Sequence, residues 1–404
     1  MKFDESPSSS GPLAGIRVIE LGSLIAAPFA ARMLGDFGAE VIKIEGLDGD
    51  PLRKWRVLHD GTSLWWHLQS RNKKVIGLDL KSPEAVGIVR KLVTDADIVI
   101  ENFRPGGLEK LGLGWADLSA LNPNLIMVRI SGFGQTGPYR DRPGFGAIGE
   151  AMGGIRYTTG APDRPPARVG VSLGDSLASL HGVIGALMGV LHVKSGRGKG
   201  QVVDVSLYES VFNLMESIVP EHDLYGVVRE RSGGRLPGIS PSNTYRTRDG
   251  AWLVIAGNSD AIFRRLMRVI GRPELGDDER LRHNDGRVEH EELIDNAISQ
   301  WAGSCDLDAA CDALNAADIP NGRIYTVEDI MADPHYRERQ MIQTDVLPDG
   351  TTVQMPGIMP KLTETPGSVR WLGQAMGAHT DSVLGDLGFA ASQISDMRNR
   401  GVVR

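Results

Sequence analysis

Residues 174–193 combine an apolar composition with glycines at helical spacing. Gly182, Gly185 and Gly189 stand at positions i, i+3 and i+7, which lie on one face of a helix. Each glycine inside a helix costs roughly 0.5–1 kcal/mol relative to alanine. Three of them on one face therefore predict that another part of the fold approaches the helix backbone closely. Because the stretch is apolar on nearly every side, we expect the helix to be buried.

A carboxylate, Asp175, lies at the start of this stretch. One interpretation is a helix N-cap that accepts a hydrogen bond from a free N–H of the first turn. A second is a nucleophile, because the positive end of a helix favours the ionised carboxylate and an ionised carboxylate can attack. The two interpretations are compatible, and the residues alone leave both open.

Length and composition limit the class of protein. A chain of 404 residues is long for one hydrophobic core and predicts two domains. The net charge of −7 gives no support to a nucleic-acid partner. Cys305 and Cys311, the only cysteines, lack disulfide-scaffold and metal-site spacing, which favours a reducing cytoplasm and no metal. Residues 1–10 resemble a disordered tail, and the apolar run Leu180–Val193 is too short to cross a bilayer.

Short apolar runs alternate with helical segments near the start of the chain. This alternation predicts an α/β fold with a doubly wound parallel sheet, in which ligands bind beyond the carboxyl ends of the strands. The predicted strands are Ile16–Leu21, Ala39–Glu45, Val75–Leu80, Ile98–Asn102, Leu125–Ile130 and Gln201–Leu207. The predicted helices between and after them are Pro28–Gly38, Pro83–Thr94, Trp115–Leu121 and Tyr208–Ile218.

The pattern changes after residue 228. Residues 229–243 are rich in glycine, proline and polar residues, which is typical of a linker. Thr244–Ala256 predicts a hairpin that turns at Asp249 and Gly250, and short helices follow it. These features indicate a smaller α+β domain. Near the end of the chain, Thr380–Leu387 predicts a final helix.

Three segments where a cofactor or metal motif could be expected do not contain one. The first strand-to-helix turn, Gly22–Pro28, is not G-x-G-x-x-G, so a nicotinamide or flavin site has little support. The basic turn Ser195–Gly200 lacks the spacing of a Walker A loop, and Glu289–Glu292 is not H-E-x-x-H.

Basic residues gather near the predicted strand ends. Solvated surface charge explains any one of them, whereas several that converge on one edge of the sheet would suit a ligand with several phosphates. The residues are Arg71, Lys73, Lys74, Lys81 and Arg104.

Together these segments resemble the class III CoA-transferase family, of the formyl-CoA transferase and carnitine CoA-transferase type. The resemblance runs from about Gly11 to Val402. Within the family, the chain is most similar to succinyl-CoA-dependent dicarboxylate CoA-transferases, such as those acting on malate. The family-wide segments are Leu13–Val18, Gly38–Glu45, Asn72–Lys74, Glu101–Gly106, Gly174–Ser176 and Ser195–Gly198. The malate-type segments are Ile25–Phe29, Gln135–Phe145 and Pro360–Gly367.

The resemblance implies a fold and an assembly. It implies a Rossmann-like large domain, a smaller domain and a homodimer whose two chains are interlocked like rings. We accordingly divide the chain into a tail (1–10), a large domain (11–225), a small domain with linkers (226–335) and a C-terminal segment (336–404) that returns to the large domain.

The resemblance also implies a reaction, in which Asp175 is the catalytic carboxylate. CoA would pass from an acyl-CoA donor, expected to be succinyl-CoA, to a small dicarboxylic acid through an aspartyl-CoA thioester. Coenzyme A is then a co-substrate, and no permanently bound cofactor is expected. Backbone N–H groups at Ile25 and Ala26 would stabilise the oxyanions.

Further positions carry over from the family. Those expected to bind CoA are Leu78, Asp79, Leu80, Lys81, Asn102, Phe103, Arg104 and Lys110. Gly46 stands where the formyl-CoA enzymes have an arginine. We expect Arg53 or Arg71 to supply the positive charge for CoA that this arginine would provide. Arg142 and Phe145 are assigned to the substrate pocket. The candidates to bind the distal carboxylate of the acceptor are Arg140, Arg142, Arg168 and Arg235. Ser232–Gly234 replaces the glycine-rich lid of the formyl type.

Three other functions share this fold or these motifs. α-Methylacyl-CoA racemases use a histidine base where this chain has Phe145, and phenylalanine carries no proton. A formyl-CoA:oxalate-type transferase would use the same Asp175 with different acids. A non-catalytic CoA-binding protein would not need that aspartate.

Overall fold

The computed structural model describes residues 11–404, so the predicted tail at residues 1–10 lies outside the described residues. The strands are β1 (Arg17–Glu20), β2 (Glu40–Glu45), β3 (Leu58–His59), β4 (Thr62–Ser63), β5 (Lys73–Gly77), β6 (Ile98–Glu101), β7 (Ile126–Ser131), β8 (Gln201–Ser206), β9 (Ser242–Arg246), β10 (Trp252–Ala256), β11 (Asn321–Arg323), β12 (Ile342–Val346) and β13 (Thr352–Pro356).

Helices occupy much of the remaining chain. They are α1 (Ala26–Asp36), α2 (Leu64–Gln69), α3 (Pro83–Thr94), α4 (Trp115–Leu121), α5 (Gly146–Met152), α6 (Ile155–Thr158), α7 (Leu173–Lys194), α8 (Leu207–Phe212), α9 (Ile218–Tyr225), α10 (Asp260–Val269), α11 (Pro273–Gly276), α12 (Asn284–Glu289), α13 (Glu291–Ala302), α14 (Leu307–Ala316), α15 (Val327–Ala332), α16 (Pro334–Glu338), α17 (Thr380–Asp386) and α18 (Ala391–Asn399). Short 3-10 turns lie at Pro51–Lys54, Glu109–Leu111 and Glu279–Leu281.

Six parallel strands form the main sheet in the order β5-β2-β1-β6-β7-β8. The predicted α/β fold with a parallel sheet is confirmed, and each strand predicted before residue 210 is present with small shifts at its ends. Strand β1 pairs with β2 on one side and with β6 on the other. Successive strands are therefore added to one side of β1 up to β5 and to its other side from β6 onward. Ligand sites of doubly wound sheets lie beyond the carboxyl ends of the strands at such a reversal.

Alternate residues of these strands supply two apolar layers, because successive side chains of a strand point to opposite faces. On one face, Ile19 and Val99 pack with helices α3, α17 and α18. On the other face, Val18 and Val128 pack with α1 and α7. Both faces of the sheet are therefore covered, as parallel sheets require.

The glycine face of α7 rests directly on the sheet. A Cβ atom added at Gly185 would lie 2.4 Å from the side chain of Val203, and one at Gly189 would lie 2.7 Å from Ile126. At Gly182 the added atom would be 3.2 Å from Val128. The close approach predicted from the glycine spacing is confirmed, and the approaching elements are β7 and β8.

The opposite face of α7 is uncovered in the described chain, which corrects the prediction of a helix buried on every side. Its exposed apolar residues follow helical spacing and are Leu180, Ile184, Leu187, Met188 and Leu191, the last with 71% of its surface exposed. By length and composition alone, α7 could also cross a membrane. The run Leu180–Val193 is too short for a span, but the helix that contains it begins seven residues earlier, at Leu173.

The described chain forms two compact units. The large unit contains residues up to 155, 169–216 and 337–404, and the small unit contains 156–168 and 217–336. In the small unit, β9 and β10 form the predicted hairpin, β11 joins them, and helices α10, α13 and α14 pack on this sheet. The helix predicted over Tyr208–Ile218 is instead two helices, α8 and α9, and Glu216 between them has a φ of +51°.

Buried polar contacts attach residues 356–370 to the edge of the main sheet. The guanidinium of Arg71 donates to the carboxylate of Asp36 at 2.8 and 2.6 Å and to the carbonyl of Pro356 at 2.8 Å. The amide of the adjacent Asn72 donates to the carbonyl of Ser368 at 2.8 Å and accepts the N–H of Arg370 at 2.7 Å. The C-terminal segment is thus an integral part of the large unit.

We predict that Asp36→Ala lowers the free energy of unfolding by about 3–5 kcal/mol, because it leaves the Arg71 guanidinium buried without its carboxylate. Urea unfolding followed by circular dichroism measures this loss. The exposed Asp386 of α17 provides a control, whose alanine variant should change stability by less than about 0.5 kcal/mol. Equal effects of the two substitutions would contradict the role given to the buried pair.

Candidate active site

Asp175 is the third residue of α7 and lies in the first helical turn. The N-cap is Ser172, so the N-cap interpretation of Asp175 is wrong by three positions. The carboxylate nevertheless lies where the helix dipole and the free N–H groups of the first turn favour its ionised form.

The carboxylate of Asp175 packs against bare backbone at Gly146, the first residue of α5. A Cβ atom added at Gly146 would lie 2.1 Å from Oδ2 of Asp175 and 2.8 Å from its Cγ. A second glycine, Gly174, would place a Cβ 3.0 Å from the carbonyl of Gly146. The backbone N–H of Gly174 donates to the buried carboxylate of Glu150 at 3.4 Å. Two glycines therefore allow the first turns of α5 and α7 to meet at the carboxylate.

One helical turn beyond Asp175, the buried Ser179 connects α7 to α1. Its hydroxyl oxygen lies 2.7 Å from the carbonyl of Ala26 and 2.7 Å from the carbonyl of Asp175. The single hydroxyl proton is shared between these two acceptors. Ser179 thereby sets the distance between the helix that bears the carboxylate and the start of α1.

The turn that leads into α1, residues 22–26, is held by side chains from several elements. Ser179 holds Ala26, and each of the other four residues of the turn has a partner of its own. Leu24 has a φ of +65°. The contacts are Lys43 Nζ to Gly22 O at 2.9 Å, the Asn102 amide to both N and O of Ser23 at 2.9 Å, Leu24 N to Asp50 at 3.1 Å, and Gln69 Nε2 to Ile25 O at 3.1 Å.

Buried charges beneath this turn hold one another in place. Lys43 lies 2.8 Å from Glu20 and 2.9 Å from Asp50, and Lys73 pairs with Glu20 at 2.7 Å while donating to the carbonyl of Pro28. Burial lowers the pKa of Lys73 to about 8, although the Glu20 carboxylate opposes the shift. Burial would raise the pKa of Asp50, but the charge of Lys43 and the hydrogen bonds from Lys43 and from the N–H groups of Leu52 and Leu24 together keep that pKa below its usual value.

The start of α1 offers hydrogen-bond donors. Its N-cap, Ile25, has no side chain that can cap the helix, and helix geometry leaves the first N–H groups without intrahelical acceptors. Pro28 has no N–H, so the donors of this turn are those of Ala26 and Ala27 together with Ile25. Donors fixed in this way can bind an oxygen that gains negative charge during acyl transfer.

The residues predicted to bind CoA lie at the carboxyl edge of β5 and β6. Leu78 is buried and its N–H donates to Glu45 O at 2.8 Å, so its side chain belongs to the core. Asp79 accepts the N–H of Lys81 at 3.1 Å, which folds residues 79–82 into a turn. Leu80 and Phe103 are half-buried against the core, and the amide of Asn102 is engaged with Ser23. Lys81, Arg104 and Lys110 are exposed.

Other basic residues from the predicted set are engaged elsewhere. Arg53 donates twice to Glu45, at 3.0 and 2.7 Å, and its guanidinium lies 3.6 Å over the ring of Trp66. Arg71 is bound by Asp36 inside the fold, Lys73 by Glu20, and Lys74 pairs with Glu40 at 2.7 Å. Neither Arg53 nor Arg71 has a guanidinium available for a phosphate, so we remove both from the CoA-binding set.

The predicted substrate residues stand on the loop between β7 and α5. The guanidinium of Arg142 lies 3.6 Å over the ring of Tyr139, and within residues 11–404 it has no carboxylate partner. Phe145, which directly precedes Gly146, is 67% exposed. Arg140 pairs with Asp141 at 3.4 Å, and Arg235 of the small unit pairs with Glu291 at 2.7 Å. Of these guanidinium groups, that of Arg142 is the one left for an anionic ligand.

Several residues of this site were missed in the sequence. Gly146, Ser179, Asp50 and Gln69 form no motif among themselves. Only Ser179 could have been predicted to lie near the site, because it follows Asp175 by one helical turn. A surface group formed by His59, Asp60 and Asp349 has ligand atoms within 4.8 Å of one another. Exposed acidic groups often cluster in this way, and we assign no metal to them.

The chain matches known proteins along nearly its whole length. Residues 13–380 match CoA-transferase family III. A succinyl-CoA–D-citramalate CoA-transferase of Chloroflexus aurantiacus is 50% identical, over 93% of this chain and 94% of that protein. The beta subunit of a succinyl-CoA–L-malate CoA-transferase from the same organism is 41% identical, over 97% of this chain and 98% of that protein. The crystal structure of a CAIB/BAIF family protein from Brucella suis superposes with a TM-score of 0.81 at 32% identity, over 94% of this chain and 100% of that one.

We predict that Gly146→Ala lowers kcat for CoA transfer by about 10²-fold, because the new methyl group displaces the Asp175 carboxylate by about an ångström. Steady-state assays measure the effect, and thermal unfolding verifies that the variant is folded. Gly87→Ala in α3 is the control, since an added Cβ there meets nothing within 4 Å. A folded Gly146→Ala enzyme with the kcat of the wild type would show that this contact is unimportant.

Proposed function

The chain belongs to CoA-transferase family III, and from this premise we propose that it moves CoA from succinyl-CoA to a small dicarboxylic acid. The observation that carries the proposal is a carboxylate, Asp175, held in a first helical turn against Gly146 and tied through Ser179 to a turn with free N–H donors. The names of the two Chloroflexus relatives, which specify succinyl-CoA with D-citramalate or L-malate, support this donor and this class of acceptor.

The reaction follows from a carboxylate that acts as a nucleophile. Asp175 attacks the thioester carbonyl of the donor, the C–S bond breaks, and a mixed anhydride forms together with CoA thiolate. The thiolate attacks the aspartyl carbonyl, which releases succinate and leaves an aspartyl-CoA thioester. The acceptor carboxylate then attacks this thioester, and the freed thiolate attacks the acceptor carbonyl of the new anhydride. The products are the acceptor thioester and the original aspartate.

Each of these steps places a negative charge on a carbonyl oxygen. The N–H groups at Ile25 and Ala26 are suited to stabilise it, because the turn that bears them is held at every residue and needs no rearrangement. Isoleucine at position 25 contributes backbone donors only.

The second carboxylate of the acceptor needs a cation. Arg142 suits this role, since its planar guanidinium can bind a carboxylate with two parallel hydrogen bonds and stands on the loop that ends at Gly146. For the nucleotide end of CoA we retain the exposed cations Lys81, Arg104 and Lys110 at the carboxyl edge of β5 and β6. Coenzyme A acts as a co-substrate.

We predict that Asp175→Ala abolishes CoA exchange between succinyl-CoA and L-malate or citramalate, because no residue is left to accept the acyl group. With wild-type enzyme and succinyl-CoA, hydroxylamine should convert Asp175 to a hydroxamate that mass spectrometry locates. Asp386→Ala, which changes an exposed acid far along the chain, should retain activity. Transfer that proceeds while Asp175 is never modified would refute the covalent route.

We also propose that the enzyme is a cytoplasmic homodimer whose chains are interlocked. The exposed apolar face of α7 supports a second copy, because contiguous apolar surface of this kind marks an interaction site. Residues 217–336, the larger part of the small unit, leave the large unit and the chain then returns to it, which would allow a second chain to pass through the resulting loop. Cys305 and Cys311 are unpaired, as is usual in a reducing compartment.

We predict that Leu191→Glu reduces the dimer fraction, because it places a charge within the apolar face of α7. Sedimentation equilibrium measures the mass of the variant and of the control Ser392→Glu, which changes an exposed residue of α18. If the chains are interlocked, two differently tagged wild-type dimers should form no hybrid on mixing until they are unfolded together. A monomeric wild type, or rapid exchange of subunits, would exclude the proposed assembly.

A further inference from the structure

Residues 402–404 lie along the end of β5 and extend the edge of the main sheet. Val403 forms an antiparallel bridge with Leu78, and the carbonyl of Val402 accepts the N–H of Asp79 at 2.9 Å. The N–H of Arg404 donates to the carbonyl of Gly77 at 3.0 Å. The backbone of Arg404 is therefore fixed beside Leu78–Lys81, the segment proposed above to bind CoA.

The side chain of Arg404 crosses to the end of β2. Its Nη1 donates to the carbonyl of Leu47 at 2.9 Å, and the residue is exposed. Across residues 11–404, no carboxylate lies within ion-pair distance of this guanidinium, in contrast to those of Arg53 and Arg71. The space beside the adjacent Gly46 is also open, since an added Cβ there would meet nothing within 4 Å. A fixed, solvent-facing guanidinium with several unused N–H groups remains at the carboxyl edge.

The order of the strands indicates which end of CoA would reach this edge. Asp175 lies on α7, which packs on β7 and β8, whereas Arg404 lies beside β5 at the opposite border of the sheet. Four strand spacings of about 4.8 Å separate β5 from β7, or roughly 19 Å. The thioester must be at Asp175, so the group near β5 is the far, nucleotide end of the molecule, which bears the 3′-phosphate.

Building on the proposed function, we infer that Arg404 binds the 3′-phosphate of CoA, with Lys81 on the other side of the Asp79 turn. Arginine suits this role because its planar guanidinium donates two parallel hydrogen bonds to phosphate oxygens. The role is binding rather than catalysis, since Arg404 is remote from the reacting atoms. It also explains how the edge of β2 and β5 obtains a cation although Arg53 and Arg71 are consumed inside the fold.

Kinetics with two donors test this inference. Arg404→Gln should raise KM for succinyl-CoA about tenfold at unchanged kcat, the loss expected for one charge-assisted hydrogen-bonded contact. With 3′-dephospho-succinyl-CoA, the variant and the wild type should have the same KM. Arg404→Lys should recover part of the affinity for the full donor. Arg400→Gln is the control, because Arg400 is bound to Glu84 and Asp396 on the surface.

The outcomes separate this inference from the proposed function. If Arg404→Gln has the wild-type KM, or raises KM equally for both donors, the 3′-phosphate contact is overturned while CoA transfer by the wild type still stands. If the wild type transfers CoA from no acyl-CoA donor and calorimetry shows no binding of CoA itself, the proposed function fails and the inference fails with it.

Discussion

The close packing of α7 on the main sheet determines where the chemistry of this protein can occur. Three glycines bring the helix axis so near to β7 and β8 that side chains of the strands fill the space where Cβ atoms would be. A helix fixed along its length has a fixed first turn, and that turn bears Asp175. Ser179, one turn further along the same helix, is fixed together with it. These glycines matter because they have no Cβ atom that would keep the helix away from the sheet.

The turn before α1, residues 22–26, is held by hydrogen bonds from side chains rather than by close backbone packing. Residues 22–26 have little that would hold them in place by themselves, and Leu24 adopts a backbone conformation unusual for leucine. Each residue of this turn is held by one side chain, and these side chains come from β2, from the residue after β6, from α2, from α7 and from the residue before the first 3-10 segment. Two of these side chains, Lys43 and Asp50, are buried charges that compensate each other. A donor array built in this way is preorganised, which is the condition under which electrostatic stabilisation is most effective.

The sequence predicted the parts of this protein that depend on local patterns. Apolar runs and helical spacing located the six strands of the sheet, α3, α4 and the glycine face of α7, because these patterns report which face of an element is buried. The residue types at strand ends could not reveal which charges would be consumed inside the fold. Arg71 and Arg142 look alike in the sequence, yet one is bound by Asp36 and the other faces solvent. The N-cap interpretation of Asp175 failed because the helix starts at Leu173 with Ser172 as its N-cap, and serine is as good an N-cap residue as aspartate.

The polar contacts of Arg71 and Asn72 join residues that are 285 and 296 positions apart. On a ribosome, the six strands of the main sheet are complete long before these partners emerge, and residues 217–336 of the small unit are made in the interval. The nascent chain must therefore keep the Arg71 guanidinium and the edge of β5 without these partners while 285 to 296 further residues are made. Production of this protein should consequently depend on translation rate and chaperone supply more than that of a domain whose edge strand is closed by its neighbours in the chain.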